Sequence, residues 1–162
     1  MSTTIHYFGK ISDPKALPDL MEDFEEIARV SNWSFERVDH VFTREEGSTS
    51  ARLTLKGIRV TPSKNASPLL LTFDQEGCLA HIYYEPVLLE EGTSTPRRLL
   101  HQVHSHTSLR NHDPQAHITL VKLLDHLQKR FVPNLEVIDN TGYWHSRDAS
   151  MLRPQSLELI QK

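Results

Sequence analysis

Cysteine and long hydrophobic runs are almost missing from this sequence. Cys78 is the only cysteine, so no disulfide can form within the chain, which fits a reducing compartment. The longest apolar runs, such as residues 69–71, are far shorter than the roughly 18 residues needed to cross a bilayer. The first residues also lack the basic region and apolar segment of a secretory signal. We therefore expect a cytoplasmic protein that does not associate with a membrane.

Basic residues are too few and too scattered to form a nucleic-acid surface. The formal net charge is −3 with neutral histidines, and the densest basic clusters are the pairs at 97–98 and 129–130. Nucleic acids are bound by a basic stripe that neutralises several phosphates. We expect no nucleic-acid partner. A protein or a small-molecule ligand remains, and the sequence is also compatible with a homodimer.

The length of 162 residues predicts a single domain that covers residues 1–162. A chain of this size buries roughly 70% of the surface of its unfolded state, so it can fold without a metal or a disulfide. Residues 85–97 combine two prolines, a glycine and a Thr-Ser-Thr run. This composition predicts a flexible surface loop within the domain.

Hydrophobic periodicity predicts two long helices. The first covers residues 14–31, follows the polar residues Ser12 and Asp13, and carries apolar side chains at three- and four-residue steps. The second begins at Asp113, runs to about residue 131 and ends before a proline. Both have proline in the first helical position, where its fixed φ favours the helix. A shorter helix is predicted for residues 151–160.

Five segments are predicted strands because they are rich in β-branched and aromatic residues. They are residues 5–11, 33–42, 51–60, 68–73 and 135–139.

Two glycines have predicted roles in these strands. Gly57 separates two alternating patterns of opposite phase, which predicts a β-bulge. Residues 74–77 predict a hairpin to a strand at 78–84, with Gly77 in the position that needs a positive φ. The resulting order of strands and helices predicts an α+β fold. We expect a two-layer sandwich with a mostly antiparallel sheet and the helices packed on one face.

Histidine is concentrated in one segment. Five of the ten histidines lie between His101 and His117. In a strand, His104 and His106 share a face, whereas in a helix His101 and His104 share one. The sequence favours neither conformation for residues 97–107. Because two or three rings could converge, we take His104, His106 and His117 as candidate ligands for zinc or another divalent metal.

His117 is the histidine whose surroundings are best defined by the sequence. It lies on the apolar stripe of the second helix with Leu120 and Leu124, near the helix N-terminus, whose dipole disfavours a protonated ring. A neutral, inward imidazole could ligate a metal or act as a base. The alternative is a core histidine whose ring nitrogens are hydrogen-bonded to the backbone.

Residues 140–145 follow the last predicted strand and contain a glycine, two aromatic residues and a histidine. Tyr143, Trp144 and His145 could form a binding surface, since tyrosine and tryptophan are enriched at protein interfaces. The alternative is that Tyr143 and Trp144 cover an exposed edge of the core.

Three residues are candidate catalytic groups. Asp139 directly precedes the 140–145 segment, His145 lies within it, and Asp74 lies in the predicted hairpin. Carboxylates and imidazole are the usual general acids and bases. For Asp74 the turn itself is the simpler explanation, because aspartate favours such corners.

The last third of the chain resembles a group of small uncharacterised bacterial α+β proteins. The likeness lies in HITLVKLLDHLQKRFVPNLEVIDNTGYWHSRDASML (117–152), with a helix, the pattern L-E-V-x-D and then G-Y-W, and in TFDQEGCL (72–79). That group has no assigned reaction, so the resemblance implies a bacterial, cytoplasmic, single α+β domain and no catalytic residue. It also implies that Asp139, Gly142, Tyr143 and Trp144 form the segment most worth testing.

Two functions of different classes are consistent with these residues. The first, which we favour, is a non-enzymatic binding or regulatory domain, because the sequence has no phosphate loop, nucleotide fingerprint, nucleophile motif or ordered metal motif. The second is a divalent-metal-dependent hydrolase that uses the histidines of residues 101–117 as ligands and Asp74 or Asp139 as its base. The sequence leaves open whether the protein is an enzyme.

Overall fold

The computed structural model of the chain describes residues 2–46, 49–64, 66–80, 105–110 and 113–152. The strands of these residues are β1 (Ser2–Phe8), β2 (Ser34–Glu46), β3 (Thr49–Thr61), β4 (Leu69–Phe73), β5 (Ser105–Arg110) and β6 (Glu136–Asp139). The helices are α1 (Leu17–Val30), α2 (Pro114–Arg130) and α3 (Tyr143–Ser146). The predicted loop at 85–97, most of the predicted helix at 151–160, and His101 and His104 lie outside the described residues.

The strands form two antiparallel sheets of three strands each. The first sheet has the order β5-β1-β6 and the second has the order β2-β3-β4. The predicted α+β class and the antiparallel pairing are therefore confirmed. Within the part of the chain that is described, the strands divide between two sheets instead of forming one, and the two-layer packing stays a prediction.

The second long helix begins where the sequence predicts, whereas the first begins at Leu17, three residues later than predicted, because residues 14–16 form a 3-10 turn. The Asp13 carboxylate accepts a hydrogen bond from the backbone N–H of Lys15 at 3.0 Å, at the start of a short 3-10 turn that leads into α1. The Asp113 carboxylate accepts from the backbone N–H groups of Gln115 and Ala116 at 3.1 and 3.2 Å, at the start of α2. These bonds satisfy N–H groups that have no partner within the helix, which is why aspartate before proline marks a helix start.

The predicted turn after β4 is confirmed, whereas most of the strand predicted at 78–84 lies outside the described residues. Gly77 has φ +86°, and Phe73 and Leu79 form an antiparallel bridge on either side of the turn. The Asp74 carboxylate accepts hydrogen bonds from the backbone N–H groups of Glu76 and Cys78, both at 2.9 Å. Asp74 therefore shapes the turn, as the simpler interpretation of its position proposed.

The predicted β-bulge at Gly57 is wrong. The register between β2 and β3 runs without a skipped residue, and so does the register between β3 and β4. The hydrophobic phase changes because the strand buries side chains on both faces: Leu55 and Ile58 are both fully buried but lie on opposite faces of the sheet. Gly57 is needed for a different reason, since a Cβ at this position would collide with the carbonyl oxygen of Leu71.

One hydrophobic core is shared by the two sheets and the two long helices. Its fully buried side chains include Tyr7 of β1, Phe24 of α1, Ile58 of β3 and Leu124 of α2. The Tyr7 hydroxyl also donates a hydrogen bond to the carbonyl oxygen of Leu70 in β4 at 2.7 Å, which ties the sheets together. Among the helices of the described residues, none has the length and apolar character needed to cross a membrane.

Polar side chains connect α1 to its neighbours. The Arg37 guanidinium of β2 binds the Glu25 carboxylate through two hydrogen bonds of 2.7 and 2.8 Å. Nε2 of His126 in α2 lies 2.8 Å from an Asp23 carboxylate oxygen, and both of these side chains are partly exposed. The two contacts fix α1 against the second sheet on one side and against α2 on the other.

Candidate functional site

His117 and Asp139 form a buried pair at the junction of α2 and β6. Nε2 of His117 lies 2.7 Å from Oδ2 of Asp139, and the side chains are 4% and 0% exposed. The predicted inward position of His117 is confirmed, although its partner is a carboxylate and not the backbone. Asp139 points into the core because it stands opposite the fully buried Ile5 in the sheet register, and directly opposed residues share a face.

The Asp139 carboxylate accepts hydrogen bonds from four donors. One is His117, two are the backbone N–H and hydroxyl of Thr141 at 3.0 and 2.7 Å, and one is the backbone N–H of Trp144 at 3.3 Å. Burial on its own would raise the pKa of Asp139, but the hydrogen bonds from His117 and Thr141 outweigh it and hold this pKa below its ordinary value. Asp139 is therefore an anion at neutral pH.

An ionised Asp139 fixes the tautomer of the His117 ring. Because a carboxylate can only accept, Nε2 of His117 must carry the proton in this contact, and in the neutral ring Nδ1 then holds the lone pair. Nδ1 has no hydrogen-bond donor among the residues that the structure describes. The Tyr143 ring packs edge-on against the imidazole, with 5.8 Å between the ring centroids.

Residues 139–148, which we call the C-terminal turn, are held against α2 at a second point besides the His117–Asp139 pair. The Arg147 guanidinium makes a two-pronged ion pair with the Asp125 carboxylate, and Nη2 lies 2.8 Å from Oδ1. Nε of Arg147 donates to the carbonyl oxygen of Trp144 at 2.6 Å, and the guanidinium lies 4.7 Å from the centre of the indole ring. This pairing lowers the pKa of Asp125 through the hydrogen bond from Arg147.

The sequence identified one of these two attachment points. His117 and Asp125 are eight residues apart and lie on the same face of α2, since residues four apart on a helix are neighbours. We predicted the inward position of His117 but assigned no role to Asp125 or Arg147. The four-residue spacing of His117, Val121 and Asp125 was the signal available for finding the second point.

The residues predicted to form a binding surface differ in exposure. Tyr143 is buried and packs against the His117 ring, and Trp144 is partly buried. His145 is exposed. The segment also contains a short helix, α3, which begins directly after Gly142 at φ +81°. The structure thus brings Asp139, Tyr143 and Trp144 together around His117 and leaves His145 on the outside.

Of the three predicted metal ligands, the structure gives the positions of His117 and of the backbone of residue 106. In the first sheet, Ile5 of β1 lies between Thr107 of β5 and Asp139 of β6, so these three residues form one row across the sheet. Residue 106 lies in the adjacent row, opposite His6. Adjacent rows of a sheet belong to opposite faces, so residue 106 is not in the row that faces His117. Since His104 lies outside the described residues, the ligand set His104, His106 and His117 stays a prediction.

Comparison of the chain with protein-family models, with curated proteins and with solved structures found no match. The resemblance to small bacterial α+β proteins therefore stays a prediction.

Asp139 is expected to make the stability of the protein depend on acid pH. The pKa of Asp139 is lower in the folded state than in the unfolded state. The ionised side chain therefore adds to the free energy of unfolding at pH values above the pKa of an unfolded aspartate, about 3.9. The contribution is lost as the pH falls through the lower folded value. Urea unfolding between neutral pH and pH about 3 should show that Asp139→Asn is less stable than the wild type at neutral pH and that the difference shrinks in acid. A difference that is independent of pH would contradict this account.

Proposed function

We propose that the chain is a cytoplasmic, non-enzymatic binding domain that engages a protein partner through the outer surface of the C-terminal turn. One observation carries the proposal. The turn is fastened to α2 by the buried His117–Asp139 pair and by the Asp125–Arg147 ion pair, while the side chains on its outer side remain accessible. Surface segments of this length are usually less firmly held.

The outer side of the turn has the composition of an interaction surface. His145 is exposed, Met151, three residues after the turn, is 48% exposed, and the partly buried Trp144 ring is covered on one side by the Arg147 guanidinium. Tryptophan, methionine and arginine are enriched at protein interfaces. Because these side chains are already fixed, binding loses less conformational freedom than it would on a loose loop. The partner that fits is a protein surface with an apolar side chain for the indole edge and Met151.

The burial of the His117–Asp139 pair supports binding over catalysis. A general base must come within hydrogen-bonding distance of the proton that it removes. His117 and Asp139 are both almost fully buried, and the Tyr143 ring packs against His117. The pair contributes to function here as the anchor of the turn.

The proposal is tested by photo-crosslinking in cells that express the full chain. A benzophenone amino acid at position 145 should give a discrete adduct with one protein, whereas the same group at the exposed Lys56 of β3 should not. Binding of the purified partner is then measured by calorimetry, and Met151→Ala should weaken it by about tenfold or more. Equal adducts from both positions, or unchanged affinity of Met151→Ala, would contradict the proposal.

A divalent-metal-dependent hydrolase is the second candidate, and one observation favours it. His117 is backed by a carboxylate and presents an Nδ1 with no donor among the described residues, which is how many metal-binding histidines are supported. Mass spectrometry of untagged protein should then find about one equivalent of metal. His117→Ala should lose the metal, and His126→Ala, which alters the more exposed His126–Asp23 pair, should keep it. Metal-free protein whose thermal stability does not change with added zinc would exclude this candidate.

A further inference from the structure

Strand β2 lies at the edge of the second sheet. The sheet order is β2-β3-β4, so one side of β2 pairs with β3, and no strand of the described residues pairs with the other side. All thirteen residues of β2 are paired with β3 in regular register, with no bulge. Edge strands are normally short, bent, interrupted by proline, charged or covered, because a long straight edge pairs readily with another chain. β2 is long, regular and free of proline, so among these protections the strand itself has only its charged side chains, which are six of its thirteen residues.

The charged residues of β2 are arranged so that the strand is complementary to itself. Two copies of β2 can lie antiparallel, side by side, related by a two-fold axis that passes through the sheet between the two His40 residues, so that all thirteen residues are opposed. This register places Glu36 of each copy opposite residue 44, an arginine, of the other copy. Opposite charges in directly opposed positions stabilise a strand pair. The same register places Val38 opposite residue 42, a phenylalanine.

The two nearest alternative registers are disfavoured by like charges. An axis at Asp39 would place the two Asp39 carboxylates opposite each other. An axis at Val41 would pair Arg37 with residue 45, a glutamate, but would also place Glu36 opposite residue 46, a second glutamate. Like charges in directly opposed positions are destabilising. Among the registers with the greatest overlap, the one at His40 alone combines attractive pairs with no repulsion between carboxylates.

An exposed apolar side chain lies close to the proposed axis. Val41 is 51% exposed although it lies in the middle of a long strand. With the axis at His40, Val41 of each copy stands opposite Asp39 of the other copy, so the two Val41 side chains are diagonal neighbours on one face. Diagonal neighbours lie about 7–8 Å apart between Cα atoms, so the dimer would bring the two valines near each other without direct opposition, and the charge pairs carry the choice of register.

We propose that two copies of this chain associate through their β2 strands, antiparallel and centred on His40, and join their second sheets into one continuous sheet. The proposal is independent of the binding function of the C-terminal turn, because that turn begins at the end of β6 and packs against α2, whereas β2 belongs to the second sheet. Glu36 currently contacts Arg59 of its own chain at 2.9 Å, but both side chains are largely exposed and an exposed pair contributes little. Glu36 can therefore also engage the second copy.

Charge reversal tests the register as well as the dimer. Sedimentation of the wild-type chain should show a dimer at micromolar concentration. Glu36→Arg and Arg44→Glu should each weaken the dimer by about tenfold or more, because each change creates two repulsive pairs. The double variant Glu36→Arg/Arg44→Glu should restore the association. Glu26→Arg, which changes the net charge by the same amount on the exposed surface of α1, is the matched control and should leave the dimer intact.

Circular dichroism of every variant establishes that the fold is retained. A wild-type chain that stays monomeric at all accessible concentrations would overturn the proposal. So would a dimer that neither single reversal weakens, since its interface would then lie elsewhere, or a double variant as dissociated as the single ones.

Discussion

Asp139→Ala is expected to lower the free energy of unfolding by about 3–5 kcal/mol. The substitution leaves the buried His117 ring and two backbone N–H groups without the acceptor that they share in the wild-type structure. Buried donors without an acceptor are costly because they have lost water as well as their partner. Urea unfolding monitored by circular dichroism at neutral pH measures the loss.

Asp148→Ala is the matched control for this prediction. The Asp148 carboxylate accepts hydrogen bonds from the backbone N–H and hydroxyl of Ser150 at 3.0 and 2.8 Å, which repeats the contacts of Asp139 with Thr141. Asp148 is exposed, however, so its replacement should cost about 1 kcal/mol or less. If both variants lowered the free energy of unfolding by a similar amount, the burial of Asp139 and its bond to His117 would contribute nothing to stability.

The features that the sequence predicted correctly are those set by neighbouring residues. An aspartate before a proline begins α2 and the 3-10 turn that leads into α1, because its carboxylate and the proline φ act within one turn of chain. Gly77 has the predicted positive φ for a similar reason, since the hairpin is closed by residues 73–79 alone. Local chemistry is sufficient for these elements.

The features that the sequence did not predict depend on distant parts of the chain. The division of the strands into two sheets follows from β1 pairing with β5 and β6, which are far away in sequence. The phase change at Gly57 was interpreted as a bulge, because the sequence does not show that both faces of β3 become covered. The collision that excludes a side chain at Gly57 comes from Leu71 on another strand.

The candidate site was predicted residue by residue but not as an assembly. Helical periodicity placed His117 inward, and the position after the last strand drew attention to Asp139. Their bond joins two elements, and it could be inferred only from the register of β6 against β1, which the pattern of residues does not reveal. Asp125 and Arg147 were missed because each looks like an ordinary surface charge until the turn folds back on α2.

Phe24→Ala is also expected to lower the free energy of unfolding by about 3–5 kcal/mol. Phe24 is fully buried in the core shared by both sheets, and its ring packs edge-on against His126 with 5.5 Å between the ring centroids. Removal of the ring leaves a cavity between α1 and α2 that the surrounding elements can fill only in part. Val30→Ala is the control, because Val30 is 77% exposed on the same helix and its loss should change stability by less than about 0.5 kcal/mol.

The same variant tests whether the two sheets unfold as one unit. Trp33 lies just after α1, Trp144 lies in α3, and both are packed against the common core. Fluorescence of chains that retain one tryptophan, through Trp144→Phe or Trp33→Phe, therefore reports on two separate regions. Because one core joins them, Phe24→Ala should shift both unfolding transitions to the same lower urea concentration. A shift seen at Trp33 alone would mean that the second sheet and α1 unfold independently, and that the Tyr7–Leu70 contact between the sheets does not couple them.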